Sequence, residues 1–336
     1  MSILSVIPLD FQWVTLDPFL FCVHHLDNYP AGNADFSPKA PLSGRNIGSD
    51  FSNKDGWSMY HGETVPGFPR HPHRGFETIT IARRGFIDHS DSMGAQARFG
   101  KGDVQWMTAG KGITHSEMFP LLNSDASNPT ELFQIWLNLP AKDKFVTPYF
   151  TMFWRDSIPI VTVEDSNHKK STVQVVAGSF QGQEAPLPPP DSWASKPESN
   201  IAIYSITMEA SAALTLPKTA EGTNRILYFF NGSSISVNGA TQQPGHGIQV
   251  NPTHDIVINN GNQAAEILVL QARPIGDPVV KYGPFVMNSK AQIQQAYSDY
   301  QRTQFGGWPW DTRAPTHASS KERFAVHADG RTEYAG

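Results

Sequence analysis

Two short motifs carry the residues best suited to bind a metal ion, His71-Pro-His73 and His115-Ser-Glu117. Within each motif the two side chains are two residues apart. On a β-strand such side chains point to the same face and lie about 6–7 Å apart along it. If the two strands face each other, three imidazoles and one carboxylate converge on one point. The spacing therefore predicts a metal site made of His71, His73, His115 and Glu117.

The set of donor atoms narrows the choice of metal. Imidazole suits iron, zinc, copper and nickel, and a mixed nitrogen and oxygen set with open positions favours Fe(II) or Mn over a structural zinc. Cys22 is the only cysteine and lies far from both motifs in the chain, so we expect no thiolate ligand. Intrinsic affinity favours Cu and Ni, so the metal depends on supply and geometry. We expect Fe(II), with Mn, Ni, Cu, Co and Zn as alternatives.

A single His-x-His motif is more often ordinary surface or core polarity than a metal site. Two such pairs, each beside glycine turns, are hard to explain in that way. Glu77 adds a competing carboxylate, because it follows His73 by four residues and would share its strand face. It could be a ligand or a hydrogen-bond acceptor beside the ligands. Trp106 precedes the second motif and is expected in the core or in a pocket wall near the metal.

Other polar residues are weaker candidates. His61 is expected to be a loop histidine. The segment from Asp88 to Asp91 contains side chains that are common in active sites. It is interpreted as a solvated hairpin turn, because Gly94 follows it. His246 and His254 have no second ligand two residues away, so we expect no metal in the second half of the chain.

The elements around these motifs read as β-strands. Short apolar runs rich in β-branched and aromatic residues alternate with turn signals, and the chain contains 27 glycines and 26 prolines. Such spacing is typical of a β-sandwich or barrel. The same pattern of short apolar runs separated by turn signals recurs in both halves of the chain. One amphipathic helix is predicted after Ser289-x-x-Gln292, a capping box followed by apolar residues at helical spacing.

We expect a first domain at residues 1–150, a second at 151–306 and a tail at 307–336. The proline-rich run 186–190 is interpreted as a loop within the second domain, since a boundary there would separate strands that belong together. The tail is polar, without periodicity, and could either wrap the body or lack order.

Composition excludes several classes of function. The net charge is −5 and there is no basic run, so direct nucleic-acid binding has no electrostatic support. One cysteine excludes an internal disulfide. No signal peptide or apolar stretch long enough to span a membrane is recognised, and we expect a cytoplasmic protein.

At these motifs the chain resembles the pirin family of bicupin proteins. The matching segments are His71-Pro-His-Arg-Gly-Phe-Glu-Thr78, Gly102-Asp-Val-Gln-Trp-Met-Thr-Ala-Gly110, Gly112-Ile-Thr-His-Ser-Glu-Met118, Asp17-Pro-Phe and Tyr282-Gly-Pro-Phe-Val-Met-Asn288. The resemblance implies an all-β fold of two cupin barrels (double-stranded β-helices) with a few short helices, and a metal only in the N-terminal barrel. It carries the ligand role onto His71, His73, His115 and Glu117 and places Glu77 beside the ligands. Residues 120–130, 186–190 and the tail look longer than the family minimum.

The resemblance also implies an activity. Pirin-like proteins are associated with quercetin 2,3-dioxygenase activity, so we expect an Fe(II)-dependent enzyme that cleaves a flavonol with O₂. Glu117 would act as the base toward the substrate hydroxyl. The alternative is a redox-sensing regulatory protein that binds protein partners without catalysis. A 2-oxoglutarate oxygenase built on His115 and Glu117 is disfavoured, because it leaves the His71 and His73 pair without a role.

Overall fold

Strands make up most of the regular structure in the computed structural model, which describes residues 2–336. Before residue 157 they are, in chain order, β1 (Ile3–Pro8), β2 (Phe19–Tyr29), β3 (Gly67–His73), β4 (Phe76–Arg84), β5 (Phe86–Asp91), β6 (Gln96–Gly100), β7 (Asp103–Thr108), β8 (Ile113–Met118), β9 (Asn128–Asn138) and β10 (Tyr149–Phe153). The prediction of an all-β protein is confirmed.

The middle of the chain continues in the same way. Its strands are β11 (Ile160–Glu164), β12 (Lys170–Ala177), β13 (Ser179–Phe180), β14 (Gln183–Glu184), β15 (Ala202–Met208), β16 (Ala213–Leu216), β17 (Asn224–Asn231), β18 (Ile235–Val237), β19 (Ala240–Gln242), β20 (His246–Val250), β21 (Ile256–Asn260) and β22 (Ala265–Ala272). The last part holds β23 (Val280–Tyr282), β24 (Phe285–Met287), helix α1 (Lys290–Thr303), β25 (Phe324–Val326) and β26 (Thr332–Tyr334). Short 3₁₀ turns lie at Lys54–Gly56, Ala141–Asp143, Arg155–Ser157, Trp193–Ser195 and Pro197–Ser199.

The chain divides into two compact units that are discontinuous in sequence. The ligand unit, named for the four candidate metal ligands it contains, comprises His24–Ile135, Leu139–Asp156 and Asp277–Gly336. The second unit comprises the residues up to Val23, Trp136–Asn138 and Ser157–Gly276. These are groupings by compactness, and the sequential domain bounds 1–150, 151–306 and 307–336 stay a prediction.

Two antiparallel sheets position the candidate site. One has the strand order β10-β7-β4-β9-β2 and the other the order β26-β25-β6-β5-β8-β3. Because side chains alternate along each strand, every second residue points into the space enclosed by the ligand unit. Buried apolar side chains fill part of that space, including Ile87, Phe99, Met107, Leu132 and Phe150.

The second unit repeats the architecture without the histidine motifs. Its main sheet has seven strands in the order β1-β20-β17-β22-β15-β12-β11, and a smaller sheet has the order β16-β21-β18-β19. An apolar cluster that includes Val173, Leu227 and Ile267 is fully buried in this unit. This explains the repeated strand texture of the sequence.

The predicted helix is confirmed as α1. The Ser289 hydroxyl accepts a hydrogen bond of 3.2 Å from the Gln292 amide, and the Gln292 side chain accepts one of 2.9 Å from the Asn288 amide. The buried residues of the helix, Ile293 and Ala296, belong to the expected apolar stripe. The helix ends at Thr303 and is capped by Gln304, which adopts a left-handed conformation.

The tail contains two short strands, β25 and β26, joined and preceded by irregular segments. Strand β25 pairs with β6 in an antiparallel register from Phe324 opposite Arg98 to Val326 opposite Gln96. The guanidinium of Arg98 reaches the backbone carbonyls of Ala318 and Ser320. The tail therefore closes one edge of the sheet that also contains β8 and β3.

The interpretation of residues 88–91 as a solvated turn is wrong. They form the end of β5, and all four are buried. Asp88 makes a two-point ion pair with Arg98, with both contacts at 2.6 Å. Pairing of these charges allows the strand to bury a polar sequence that resembles a turn.

A search of residues 2–336 finds no helix that is long and apolar enough to cross a membrane.

Candidate metal centre

The two histidine motifs lie on neighbouring strands. His71 and His73 are in β3, and His115 and Glu117 are in β8. The strands pair antiparallel, with His71 directly opposite His115. One nitrogen from each of His71, His73 and His115 lies within 4.8 Å of the other two. Two pairs of residues spaced by two therefore meet in adjacent strands, as their spacing predicts.

Glu117 is the fourth candidate ligand and lies beside His115. Its Oε2 lies 4.0 Å from Nε2 of His115, and its Oε1 accepts a hydrogen bond of 3.0 Å from the Thr80 hydroxyl. Burial raises the pKa of Glu117, while the nearby His89 and the bond from Thr80 oppose that rise. A carboxyl in such a place gains from a cation beside it, because an opposite charge favours the ionised form.

A backbone carbonyl orients the imidazole of His71. Nδ1 of His71 lies 2.9 Å from the Pro69 carbonyl oxygen, so Nδ1 carries the proton and Nε2 is available to a metal. The same Nε2 lies 3.1 Å from Nε2 of His73. Burial, followed by the charge of His71, lowers the pKa of His73 well below its usual range, and the Pro284 backbone opposes that shift. Both ligating nitrogens thus face one point.

His115 differs from the other two. It is fully buried, and neither of its ring nitrogens has a hydrogen-bond partner in the structure. Burial, followed by the neighbouring histidines, holds the pKa of His115 well below its usual range. Buried polar atoms are almost always satisfied, so two unsatisfied nitrogens need an explanation. A metal ion bound between His71, His73, His115 and Glu117 would supply it, and the neutral imidazole is the form that binds metal.

A glycine explains how the ligand strand ends. Gly75 has a φ of +83°, and a Cβ at this position would lie 2.1 Å from the Val286 carbonyl oxygen. β3 therefore stops at His73, and β4 starts in a new direction at Phe76. The Phe76 ring packs edge-on against His73 with 5.0 Å between centroids. Because of this interruption, His71 and His73 lie at the end of β3, directly before the turn at Gly75.

The same interruption changes the expectation for Glu77. That expectation assumed one continuous strand, whereas Glu77 belongs to β4 and lies on the face opposite to Thr80. Its carboxylate accepts a hydrogen bond of 2.6 Å from Thr108. Trp106 lies on that same face, since it pairs with Ile79, and its ring packs on Phe153. The geometry thus gives no support to a role for Glu77 or Trp106 beside the metal.

Sequence reasoning missed three residues of the site. Thr80 holds Glu117, and Oε1 of Gln134 lies 2.8 Å from the same hydroxyl. His89 is fully buried, with its ring centroid 5.5 Å from that of His115. His89-Ser-Asp91 has the same i, i+2 spacing as the two ligand motifs. That spacing is the signal that could have identified it.

The remaining histidine candidates lie elsewhere. Nδ1 of His61 is 2.8 Å from the Gly48 carbonyl oxygen, in an exposed loop. His246 and His254 belong to the second unit. Among residues 2–336, His71, His73 and His115 form the group of three or more histidine, cysteine or acidic side chains that could hold a metal.

Comparisons with known proteins agree with the motifs. The Pirin family profile matches residues 15–137, and the profile of the Pirin C-terminal cupin domain matches residues 203–306. A Pseudomonas aeruginosa protein named provisionally as a quercetin 2,3-dioxygenase is 32% identical over 241 residues, or 71% of this chain and 79% of that protein. Pirin-1 of Arabidopsis thaliana is 33% identical over 242 residues, or 71% of this chain and 78% of that protein.

A solved structure supports the fold. The crystal structure of a quercetin 2,3-dioxygenase from Acinetobacter baumannii covers 91% of this chain and 98% of its own, with a TM-score of 0.70 and 24% identity. Both domain profiles, the relatives above 30% identity and the all-β architecture agree. The chain belongs to the pirin family and has its fold of two cupin domains.

Proposed function

We propose that this protein is an Fe(II)-dependent dioxygenase that cleaves a flavonol such as quercetin. His71, His73, His115 and Glu117 would hold the metal. The observation that carries the proposal is the buried cluster in which three imidazole nitrogens lie within 4.8 Å of one another. Relatives from Pseudomonas aeruginosa and Vibrio cholerae, at 32% and 34% identity, are named provisionally as quercetin 2,3-dioxygenases, which supports the choice of substrate.

Iron bound there would supply a Lewis acid that lowers the pKa of a substrate hydroxyl, together with the redox chemistry needed for O₂. The nitrogen and oxygen donor set favours Fe(II) or Mn over a structural zinc, and the choice of Fe(II) over Mn, Ni, Cu, Co or Zn is part of the proposal. The protein contributes the rest of the chemistry through residues around that position.

Glu117 would take the proton of the substrate hydroxyl. To do so Glu117 would leave the metal, and in its buried position a proton is then stabilised more than on an exposed carboxylate. Thr80 holds Oε1 and thereby leaves Oε2 directed toward His115. A base that is held in one orientation needs no reorganisation during the proton transfer.

Aromatic side chains beside the ligands suit a planar substrate. Phe76 packs edge-on against His73, and Phe68 packs edge-on against His71 with 6.5 Å between centroids. Phe68 is itself stacked on Tyr60 at 5.2 Å. These rings exclude water from the ligands, and the half-buried Phe68 offers apolar surface to an aromatic ring system.

The test uses the full chain loaded with Fe(II) without oxygen and then mixed with quercetin and air. Loss of flavonol absorbance together with O₂ uptake is expected. The His115→Ala protein, treated in the same way, is the control for iron in solution. Absence of turnover at one iron per chain would contradict the flavonol dioxygenase and would favour the regulatory alternative that binds protein partners.

A further inference from the structure

His89 and Asp91 form a buried pair behind the metal ligands. Nε2 of His89 lies 3.2 Å from Oδ2 of Asp91, and both residues are at most 1% exposed. Register places His89 opposite Glu117 and Asp91 opposite His115. The pair therefore stands on β5, next to the strand that carries two of the four ligands.

Asp91 is held rigidly as an acceptor. Its Oδ1 accepts hydrogen bonds of 2.8 Å from the Met93 amide and 3.0 Å from the Ala95 amide. Its Oδ2 is then left for His89. Because a carboxylate can only accept, Nε2 of His89 must carry the proton.

The proton on Nε2 of His89 determines whether its other ring nitrogen, Nδ1, donates or accepts a hydrogen bond. A neutral imidazole carries one ring proton, and the hydrogen bond to Asp91 places it on Nε2. With the proton on Nε2, Nδ1 presents a lone pair. This Nδ1 is buried and has no hydrogen-bond partner in the structure. It is an unsatisfied acceptor inside the ligand unit.

His115 needs a hydrogen-bond acceptor for the ring nitrogen that does not face the metal. A histidine that binds a metal through one nitrogen almost always donates its other N–H to an acceptor. Nδ1 of His71 has the Pro69 carbonyl as its partner, whereas Nδ1 of His115 has no hydrogen-bond partner in the structure. The rings of His115 and His89 lie 5.5 Å apart between centroids. A hydrogen bond of about 3 Å between ring nitrogens, added to the two ring radii, spans close to this distance.

We propose that His89 is a positioning residue that accepts the Nδ1 proton of His115 when the metal is bound, with Asp91 fixing its tautomer. The chain Asp91–His89–His115 then orients the His115 ring and raises its basicity toward the metal. This inference rests on the proposed metal site but not on the identity of the substrate.

The test measures the affinity of the full chain for Co(II) and the visible absorption of the bound Co(II). Asp91→Asn is the sharpest variant, because Asn keeps the Oδ1 acceptor for Met93 and Ala95. Its amide donates where the carboxylate accepted, so the His89 tautomer inverts and Nδ1 becomes a donor. We expect Co(II) affinity to fall about 10- to 100-fold and the absorption bands to shift.

Variants of His89 separate a hydrogen bond from bulk packing. His89→Ala should lose affinity to a similar degree, whereas His89→Asn, which keeps an acceptor near the position of Nδ1, should recover part of it. Asp103→Asn is the matched control, since Asp103 is a fully buried carboxylate bonded to Gly100, Arg155 and Arg323. It should leave both the affinity and the spectrum unchanged.

A direct signature is available in the Zn(II)-loaded protein labelled with ¹⁵N. A proton shared between Nδ1 of His115 and Nδ1 of His89 should give a coupling between the two nitrogens. Wild-type affinity and spectrum in both Asp91→Asn and His89→Ala would overturn the proposal. If the wild-type protein binds no Co(II), the metal site itself fails and the inference falls with it.

Discussion

The Thr80 hydroxyl donates a hydrogen bond of 3.0 Å to Oε1 of Glu117, across from β4 to β8. Both residues are at most 5% exposed. The bond joins the two sheets that enclose the site, so the orientation of the carboxylate depends on a strand that carries none of the ligands. Four predictions follow from this and other contacts.

Thr80→Val should reduce turnover without removing the metal. Valine keeps the shape of threonine but loses the hydroxyl, and a hydrogen bond to a charged group contributes about 1.5–3 kcal/mol. We expect kcat for flavonol cleavage to fall about 10-fold, with iron still near one per chain. Thr78→Val is the control, because Thr78 is equally buried on the same face of β4. Full activity in Thr80→Val would show that Glu117 needs no such support.

His115→Ala should abolish stable metal binding. Partners that only support a ligand account for about 10- to 100-fold in affinity, so loss of the ligand itself should exceed 100-fold. Metal content after dialysis against a chelator measures this. His254→Ala, in an exposed position of the second unit, should retain the metal. Stoichiometric iron in the His115→Ala protein would disprove the site.

His25 should make the metal-free protein less stable in acid. Burial, followed by the charge of His24, lowers the pKa of His25 from 6.5 to about 3. Between these values the unfolded chain binds a proton that the folded chain does not. The free energy of unfolding should therefore fall by about 1.4 kcal/mol per unit as pH drops from 6.5 toward 3.

Urea denaturation from pH 4 to pH 7 checks the role of His25. His25→Gln should flatten the pH dependence by about one proton. His168→Gln alters an imidazole that is 87% exposed and should leave the dependence as in the wild type. An unchanged slope in His25→Gln would assign the acid sensitivity to other groups.

Arg98→Met should destabilise the ligand unit strongly. Arg98 pairs at two points with Asp88 and also holds two carbonyls of the tail, and both side chains are fully buried. Removal of one partner leaves a buried charge, which costs about 3–5 kcal/mol. Thermal or urea unfolding measures the loss. Arg302→Met removes an ion pair in which Arg302 is 73% exposed, and its effect should stay within about 1 kcal/mol.

Local patterns in the sequence were sufficient to predict several features of the site and the fold. Strand periodicity places two side chains spaced by two on one face, so the pairs His71 with His73 and His115 with Glu117 could be recognised before the fold was known. The capping box at Ser289 and Gln292 also depends only on neighbouring residues. These features are local, and their geometry follows from the chain alone.

Other features depended on contacts between distant segments. The turn at Gly75 moves Glu77 onto the opposite face of β4, which no periodicity reveals. Asp88 looked solvated because its partner Arg98 and the tail that covers them are specified elsewhere in the chain. The sequence by itself determined the types of the candidate ligands and their arrangement in two pairs. Only the tertiary structure decided that Thr80 supports Glu117 and that His89 stands behind His115, because both relationships arise where separate strands pack together.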